Sequence, residues 1–201
     1  MGKKENNMNW IENLLIIGGA SLDIFAAMEC QGAVVNKVNK KRLCGICIVV
    51  ALLQIIALYI GYFLTSYLCE VNPVSNEALL GEILATVIFF FLGLRLLVKA
   101  IKNDSIEEHL ETKFAVKKFL RLSGVTSFYT IMTGIAFGFV GTNLSIALIM
   151  IAAVSVLFII LGVYTGYHFG FEQKTKAYIA GVILLWLAGI DIILRQIMHI
   201  F

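Results

Sequence analysis

The stretch Gly18-Gly19-Ala20-Ser21-Leu22-Asp23-Ile24-Phe25-Ala26-Ala27-Met28 places one carboxylate inside a run of apolar and small residues. It belongs to an apolar segment, residues 11–33, that is long enough to cross a bilayer as a helix at about 1.5 Å per residue. Asp23 then lies near the bilayer midplane, where an ionisable group costs at least about 2.5–3.5 kcal/mol. Because intramembrane carboxylates are rare and usually functional, the stretch predicts a membrane helix whose Asp23 contacts a cation or a proton.

The composition of the whole chain is that of a polytopic membrane protein. Of its 201 residues, 60% are hydrophobic and only 14% are charged, whereas soluble domains have about 25% charged residues. The mean hydropathy is +0.90. The net charge of +3 is too small to indicate nucleic-acid binding. We therefore expect the lipid bilayer to be the main partner and no nucleic acid to bind.

Six apolar segments can be distinguished, and each is long enough for one tilted crossing. Backbone hydrogen bonds must close within each segment in lipid, so all six are predicted to be helices. The predicted fold class is an all-α membrane protein with six transmembrane helices. The segments are residues 11–33, 43–68, 78–101, 120–140, 144–170 and 177–200.

The basic residues of the loops predict the orientation. The first, third and fifth loops contain Lys or Arg, whereas the second and fourth, residues 70–77 and 141–143, contain neither. Positively charged loops stay in the cytoplasm. The odd loops are therefore predicted to be cytoplasmic and both chain termini to be outside.

The chain also contains a weak internal repeat. Ser21-Leu22-Asp23 aligns with Ser127-Phe128-Tyr129, Tyr59-Ile60-Gly61-Tyr62 with Tyr164-Thr165-Gly166-Tyr167, and Leu92-Gly93-Leu94-Arg95 with Ala188-Gly189-Ile190-Asp191. The matches pair helices 1, 2 and 3 with helices 4, 5 and 6, in that order. A duplicated unit of three crossings is inverted relative to the first, as in many secondary transporters. We thus expect two inverted-topology repeats, residues 1–101 and 120–201, joined by a cytoplasmic connector, residues 102–119. The repeated tyrosines suggest packing where the halves meet.

Polar residues inside the predicted helices are the candidates for a site. Asp191 is interpreted either as a second carboxylate on the exit path or as a partner of Arg95. The alternative for Arg95 is that its side chain reaches toward the cytoplasmic surface. Glu29 forms a cytoplasmic mouth or is an interfacial residue without a role. Gln54 is an oxygen ligand or an interhelical hydrogen-bond partner. No nucleophile lies near a base in the sequence pattern, so we do not predict an enzyme.

The motif Cys44-Gly45-Ile46-Cys47 has the spacing of redox and metal sites but lies at the start of an apolar helix. No βαβ pattern surrounds it, which argues against a thioredoxin-like function. Packing of small residues between helices is the favoured interpretation. A soft-metal site formed with Cys30 is the alternative.

The segment Ser21-Leu22-Asp23-Ile24-Phe25-Ala26-Ala27 resembles the first-helix signature of the manganese efflux pump family (MntP), within the lysine-exporter superfamily. Phe91-Leu92-Gly93-Leu94-Arg95 is similar to a stretch of that family's third helix. The resemblance implies a bacterial plasma-membrane protein that exports Mn²⁺, with Asp23 as the metal-binding carboxylate and no resident cofactor. Together with the repeat and the polar residues inside the helices, it leads to a predicted cation-binding set of Asp23, Tyr129, Gln54 and Asp191.

Two positions depart from the family pattern. The family repeats its aspartate in helix 4, where this chain has Tyr129, and carries a glutamate in helix 2, where this chain has Gln54. Tyrosine and glutamine are neutral at pH 7, so the site has less negative charge to offset a divalent ion. Three functions therefore stay open: a manganese or divalent cation exporter working by alternating access, an exporter of a monovalent or small organic cation or an amino acid, and a non-transporting scaffold or regulator. A homo-oligomer also stays open.

Overall fold

The protein is described by a computed structural model, which covers residues 10–34, 40–71, 77–102, 116–170 and 172–200. These residues form six α-helices: α1 Trp10–Val34, α2 Lys40–Val71, α3 Glu77–Lys102, α4 Val116–Val140, α5 Leu144–Phe169 and α6 Glu172–Ile200. Each helix contains a span long and apolar enough to cross a membrane. The prediction of an all-α fold is thus confirmed, and all six helices are long and apolar enough to be transmembrane helices.

The helices extend further than the apolar segments from which they were predicted. Helix α2 begins at Lys40 and α6 at Glu172, before the first apolar residues of either segment. Helix α4 begins at Val116, inside the predicted connector 102–119, of which residues 103–115 lie outside the described ranges. The hydropathy pattern marks where the lipid ends, but a helix can continue into the polar interface with its charged side chains in water.

Short turns join the last three helices. Asn143 caps α5, because its side-chain Oδ1 accepts a hydrogen bond from the backbone N–H of Ser145 at 3.2 Å. Gly170 ends α5 with φ of 68°, a left-handed conformation that favours glycine, and its N–H donates to the Gly166 carbonyl at 2.9 Å. These tight connections make α4, α5 and α6 consecutive crossings.

The two predicted halves of the chain interleave rather than pack as separate units. Helix α1 packs mainly on α5 and α6, α2 on α4 and α5, and α3 on α6 and α4. Among the described residues, the backbones of α1, α2 and α3 scarcely approach one another, and α1 meets α3 through long side chains. The interior of the bundle is therefore built almost entirely from pairs that join residues 10–102 to residues 116–200.

Glycines allow the closest of these pairs to form. On α5, Gly162 and Gly166 lie against the α1 backbone at Phe25 and Glu29, and an added Cβ at Gly162 would lie 2.6 Å from the Phe25 carbonyl oxygen. On α2, Gly61 lies against the α4 backbone at Ile131 and Gly134 in the same way. Residue numbers increase together in both pairs, so α1 and α5, and likewise α2 and α4, run parallel.

Helices α3 and α6 cross in antiparallel fashion. Gly93 lies under the Trp186 indole, and Gly189 lies under the Phe90 ring. The two rings stack with their centroids 5.9 Å apart, and the indole N–H donates to the Phe90 carbonyl at 3.4 Å. This reciprocal contact fixes the register of the two helices, since each ring fills the space that the opposite glycine leaves.

Large apolar side chains cover the outside of the bundle, as expected where the solvent is lipid. Phe63, Phe91 and Ile149 are examples of this exposed surface. Tyr59, Tyr164 and Tyr167 also lie on it. The prediction that the repeated tyrosines pack where the halves meet is wrong for these three, because the glycine of each motif makes the helix contact and their rings lie on the outside. Tyr62 is partly buried and packs against the bundle interior, as predicted.

Candidate functional site

Asp23 lies in the middle of α1 and is almost completely buried, with 3% of its surface exposed. The small residues around it give it this position, because Gly19 packs on Leu184 and Leu185 of α6 with little room for a side chain. The sequence thus correctly identifies a carboxylate inside the bundle. A buried carboxylate of this kind needs partners, because an isolated charge in a low-dielectric medium is very costly.

Two cations from α3 occupy the two oxygens of Asp23. Lys99 Nζ lies 2.6 Å from Oδ1, and Arg95 Nη1 lies 3.0 Å from Oδ2. Arg95 and Lys99 are four residues apart, so they lie on one face of α3, one above the other. The three side chains together carry one net positive charge. The two cations therefore carry more charge than Asp23 can neutralise.

Arg95 is held more firmly than Lys99. The Arg95 guanidinium carbon lies 3.0 Å from the centroid of the Tyr129 ring of α4, which gives it a cation–π contact in addition to Asp23. Its side chain is 14% exposed, whereas that of Lys99 is 34% exposed. The nearest ring to Lys99 is that of Tyr178 on α6, with its centroid 5.6 Å from Nζ. Tyr129, predicted as the counterpart of Asp23, thus reaches it through Arg95.

A small cavity adjoins this cluster. Its volume is about 10 Å³, close to the smallest space that accommodates a water molecule. In the described conformation the cavity is too small for a hydrated metal ion. Its polar lining comes from Asp23, Arg95, Tyr129 and the hydroxyl-bearing residues of one α4 face: Thr126, Thr130 and Thr133.

Gln54 stands behind the threonine wall of the cavity. Its Nε2 donates to Thr126 Oγ1 at 3.3 Å, and Thr130 Oγ1 donates to its Oε1. Gln54 is fully buried, and both ends of its amide are bonded across the α2–α4 contact. This is the interhelical hydrogen-bond role that the sequence left open, and it places the amide one residue layer away from Asp23.

Glu29 does not share the cavity with Asp23. It is fully buried six residues further along α1, and its Oε1 accepts a hydrogen bond from the backbone N–H of Gln173 at 2.9 Å. Gln173 lies in the first turn of α6, where unpaired N–H groups attract a carboxylate. The contact ties α1 to the start of α6. A role for Glu29 as a cytoplasmic mouth stays a proposal.

Asp191 also lies away from the cluster. In the antiparallel α3–α6 contact, Gly93 faces Trp186 and Phe90 faces Gly189. Asp191 therefore lies at the height of α3 residues that precede Phe90, well before Arg95. At about 1.5 Å per residue, its backbone is about 10 Å along the bundle from that of Arg95. The structure brings together Asp23, Tyr129 and, one layer back, Gln54, but not Asp191.

The two cations that hold Asp23 are not identified by the sequence pattern. The pattern places Arg95 at the cytoplasmic surface or beside Asp191 and gives no role to Lys99. A signal was present, because a basic pair four residues apart inside a predicted membrane helix requires an anion. Asp23 is the buried carboxylate that meets this need.

The chemistry of the cluster is electrostatic. Within the described ranges, no group of three or more His, Cys, Asp and Glu side chains is placed to hold a metal ion. A cation that binds Asp23 must therefore replace a cation that the protein already provides. An acidic group could instead approach Arg95, whose Nη2 is buried and has no hydrogen-bond acceptor among the described residues.

Comparison with known families gives one extended match. The sequence profile of the Mntp family, described as "Putative manganese efflux pump", matches residues 37–193. This range is well over half of the chain and includes the whole of α2 to α5 and most of α6.

Similar proteins of about the same length occur in several organisms. One from Desulfitobacterium hafniense (strain Y51) is 28% identical over 194 residues, covering 94% of this chain and 97% of its own. One from Mannheimia succiniciproducens is 24% identical over 178 residues, covering 89% and 92%, and one from Campylobacter jejuni (strain RM1221) is 24% identical over 190 residues, covering 94% and 98%. Each is named "Putative manganese efflux pump MntP". No solved structure matches the chain.

Proposed function

Because the chain belongs to the MntP family of manganese efflux pumps, we propose that it exports Mn²⁺ across a bacterial plasma membrane. The observation that carries the proposal is the buried carboxylate of Asp23, which adjoins a cavity between α1, α3 and α4. A membrane-buried carboxylate beside hydroxyl oxygens offers the hard ligands that Mn²⁺ accepts. Mn²⁺ is here the transported substrate.

We further propose that the two halves form an inverted repeat. The pairing of helices supports this arrangement. In an inverted repeat, α1, α2 and α3 correspond to α4, α5 and α6. The α1–α5 contact then corresponds to α4–α2, and the α1–α6 contact to α4–α3. All four contacts are extensive. The reciprocal Gly93–Trp186 and Gly189–Phe90 contacts follow the same correspondence.

The glycine contacts also support a specific register for the repeat. Gly61 lies against the backbone of Ile131, and Gly162 against that of Phe25. Phe25 corresponds to Ile131 when Asp23 is aligned with Tyr129, so the same correspondence pairs Gly61 with Gly162. The tyrosine motifs pair Gly61 with Gly166 instead, one helical turn away.

Alternating access is the transport mechanism that we propose for this arrangement. The cavity beside Asp23 is much smaller than a hydrated ion in the described conformation. Substrate must therefore enter and leave through other conformations, and an inverted repeat offers two related ones that open to opposite sides. The reciprocal α3–α6 contact lies close to this cavity and would have to slide or rock as the site opens.

A second candidate function is export of an amino acid. The specific observation in its favour is the net positive charge of the Asp23–Arg95–Lys99 cluster. An amino acid would place its ammonium group on Asp23 and its carboxylate on Arg95, and each group would have a partner of opposite charge.

Elemental analysis of expressing cells tests the proposal and separates the two candidates. We expect cells that express the chain to contain several-fold less manganese in Mn²⁺-rich medium than cells with Asp23→Asn, at equal protein levels in the membrane. Glu172→Gln is the matched control, because it makes the same carboxylate-to-amide change at an exposed site. Equal manganese contents in all cells would contradict manganese export. Amino acid release from the same cells, lost in Asp23→Asn, would then support the second candidate.

A further inference from the structure

Lys99 occupies the place at Asp23 that a transported cation needs. Its Nζ is 2.6 Å from Oδ1, so the ammonium lies in the space that a cation bound to that oxygen would enter. A second cation at the same oxygen would be repelled strongly, because two positive charges a few ångströms apart in a partly buried site are only weakly screened. Substrate and Lys99 therefore cannot share Asp23.

Of the two protein cations, Lys99 is the one able to leave. Arg95 is fixed by Asp23 on one side and by the Tyr129 ring on the other. Lys99 has one close partner, more exposure and a flexible four-carbon stem. The Tyr178 ring, 5.6 Å from Nζ, gives the ammonium a second favourable position when Asp23 is taken.

We propose that Lys99 is a tethered competitor that displaces the transported cation from Asp23. It returns to the carboxylate as the cation leaves, which lowers the affinity of the site and speeds release. This inference rests on the proposed export of Mn²⁺ and adds a residue that determines affinity and turnover. It also suits a cavity whose described lining contains a single carboxylate, Asp23, because a weakly binding site can still release its ion quickly.

Purified full-length chain in detergent tests the competition with Mn²⁺ itself as the probe. Removing the competitor frees Asp23 for the ion, so we expect Lys99→Gln to bind Mn²⁺ about tenfold more tightly than wild type. This change corresponds to Asp23 being free of Lys99 in about a tenth of wild-type molecules and in nearly all molecules of the variant. Lys99→Arg keeps the charge and should bind like wild type. Lys102→Gln is the matched control, since it removes an exposed ammonium three residues away.

Transport by the same variants in proteoliposomes provides a second readout. Faster release is the role of Lys99, so Lys99→Gln should lower both the KM and the maximal rate of Mn²⁺ efflux. A purely structural loss would lower the rate without tightening binding. Unchanged or weaker Mn²⁺ binding by Lys99→Gln, with active wild type, would overturn the competitor role and leave Mn²⁺ export standing. Absence of Mn²⁺ efflux by wild type would instead contradict the proposed function.

A measurement on wild type keeps the inference testable if Lys99→Gln does not fold. Mn²⁺ should push the Lys99 ammonium off Asp23 and raise its labelling by a small amine-reactive reagent several-fold, as read by mass spectrometry. Lys102 in the same sample is the internal reference. Equal labelling of Lys99 with and without saturating Mn²⁺ would overturn the proposal.

Discussion

At the scale of single residues, Asp23 shows which part of a buried site can be predicted from sequence. Its place inside a long apolar helix follows from hydropathy, and its proposed correspondence to Tyr129 comes from the sequence repeat. Its partners do not, because contact with Arg95 and Lys99 depends on how α3 is rotated about its axis. Arg95 and Lys99 mark one basic face of α3, but the sequence does not show which helix that face meets.

Asp23 is expected to matter for stability as well as for transport. Asp23→Asn leaves Arg95 and Lys99 without their anion, and breaking a buried ion pair costs about 3–5 kcal/mol. Unfolding in mixed detergent micelles should show this loss. The double variant Asp23→Asn, Lys99→Gln should recover part of it, because one uncompensated charge is removed. If Asp23→Asn unfolds like wild type, the ion pairs contribute little.

Added negative charge should favour the divalent ion. The double variant Gln54→Glu, Tyr129→Asp introduces one carboxylate in the cavity lining and one behind its threonine wall, and it removes the ring that holds Arg95. We expect it to bind Mn²⁺ at least about tenfold more tightly than wild type, because each added charge helps to offset the ion. Gln54→Leu is the control that disturbs the same place without adding charge. Unchanged affinity in the double variant would show that charge does not limit binding.

At the scale of helices, the glycine contacts hold the bundle together. An added methyl group at Gly162 would overlap the α1 backbone, whereas one at Gly124 on α4 would meet nothing within 4 Å. Gly162→Ala should therefore lower the free energy of unfolding by about 1–3 kcal/mol, since overpacking forces backbone shifts. Gly124→Ala should leave it unchanged or raise it by up to about 1 kcal/mol through helix propensity. Equal effects would contradict close packing at Gly162.

The helix registers explain why one of the three sequence repeats was misleading. The matches around Asp23 and around Gly93 agree with the exchange of contacts between halves, but the tyrosine motifs are shifted by one turn. Tyr59, Tyr164 and Tyr167 are exposed on the outside of the bundle. Lipid accepts many side chains there, so similarity at such positions does not indicate equivalent contacts.

At the scale of the whole molecule, the number of crossings was predictable and the way they assemble was not. Hydropathy identifies each span separately, which is why all six were found. The order in which helices pack depends on pairs far apart in the sequence. The interleaving of α1 with α5 and of α2 with α4 leaves no trace in the hydropathy pattern.

Six crossings place both chain ends on the same side of the membrane. The basic residues of the odd loops predict that this side is outside. Alkaline phosphatase fused after Phe201 should therefore be active in cells, and green fluorescent protein at the same site should be dark. Fusions within residues 103–115 should behave in the opposite way. Bright fluorescence from the C-terminal fusion would reverse the orientation.

The interleaved packing has a consequence for biosynthesis. The ribosome delivers α1, α2 and α3 to the membrane before any of their main packing partners has been made. Asp23, Arg95 and Lys99 all belong to this first portion, so their ion pairs can form while the rest of the chain is still being translated. Early neutralisation of these charges would protect the incompletely translated protein from degradation by quality-control proteases. We expect a fragment of residues 1–115 to be degraded several-fold faster with Asp23→Asn than without it, in a pulse-chase measurement.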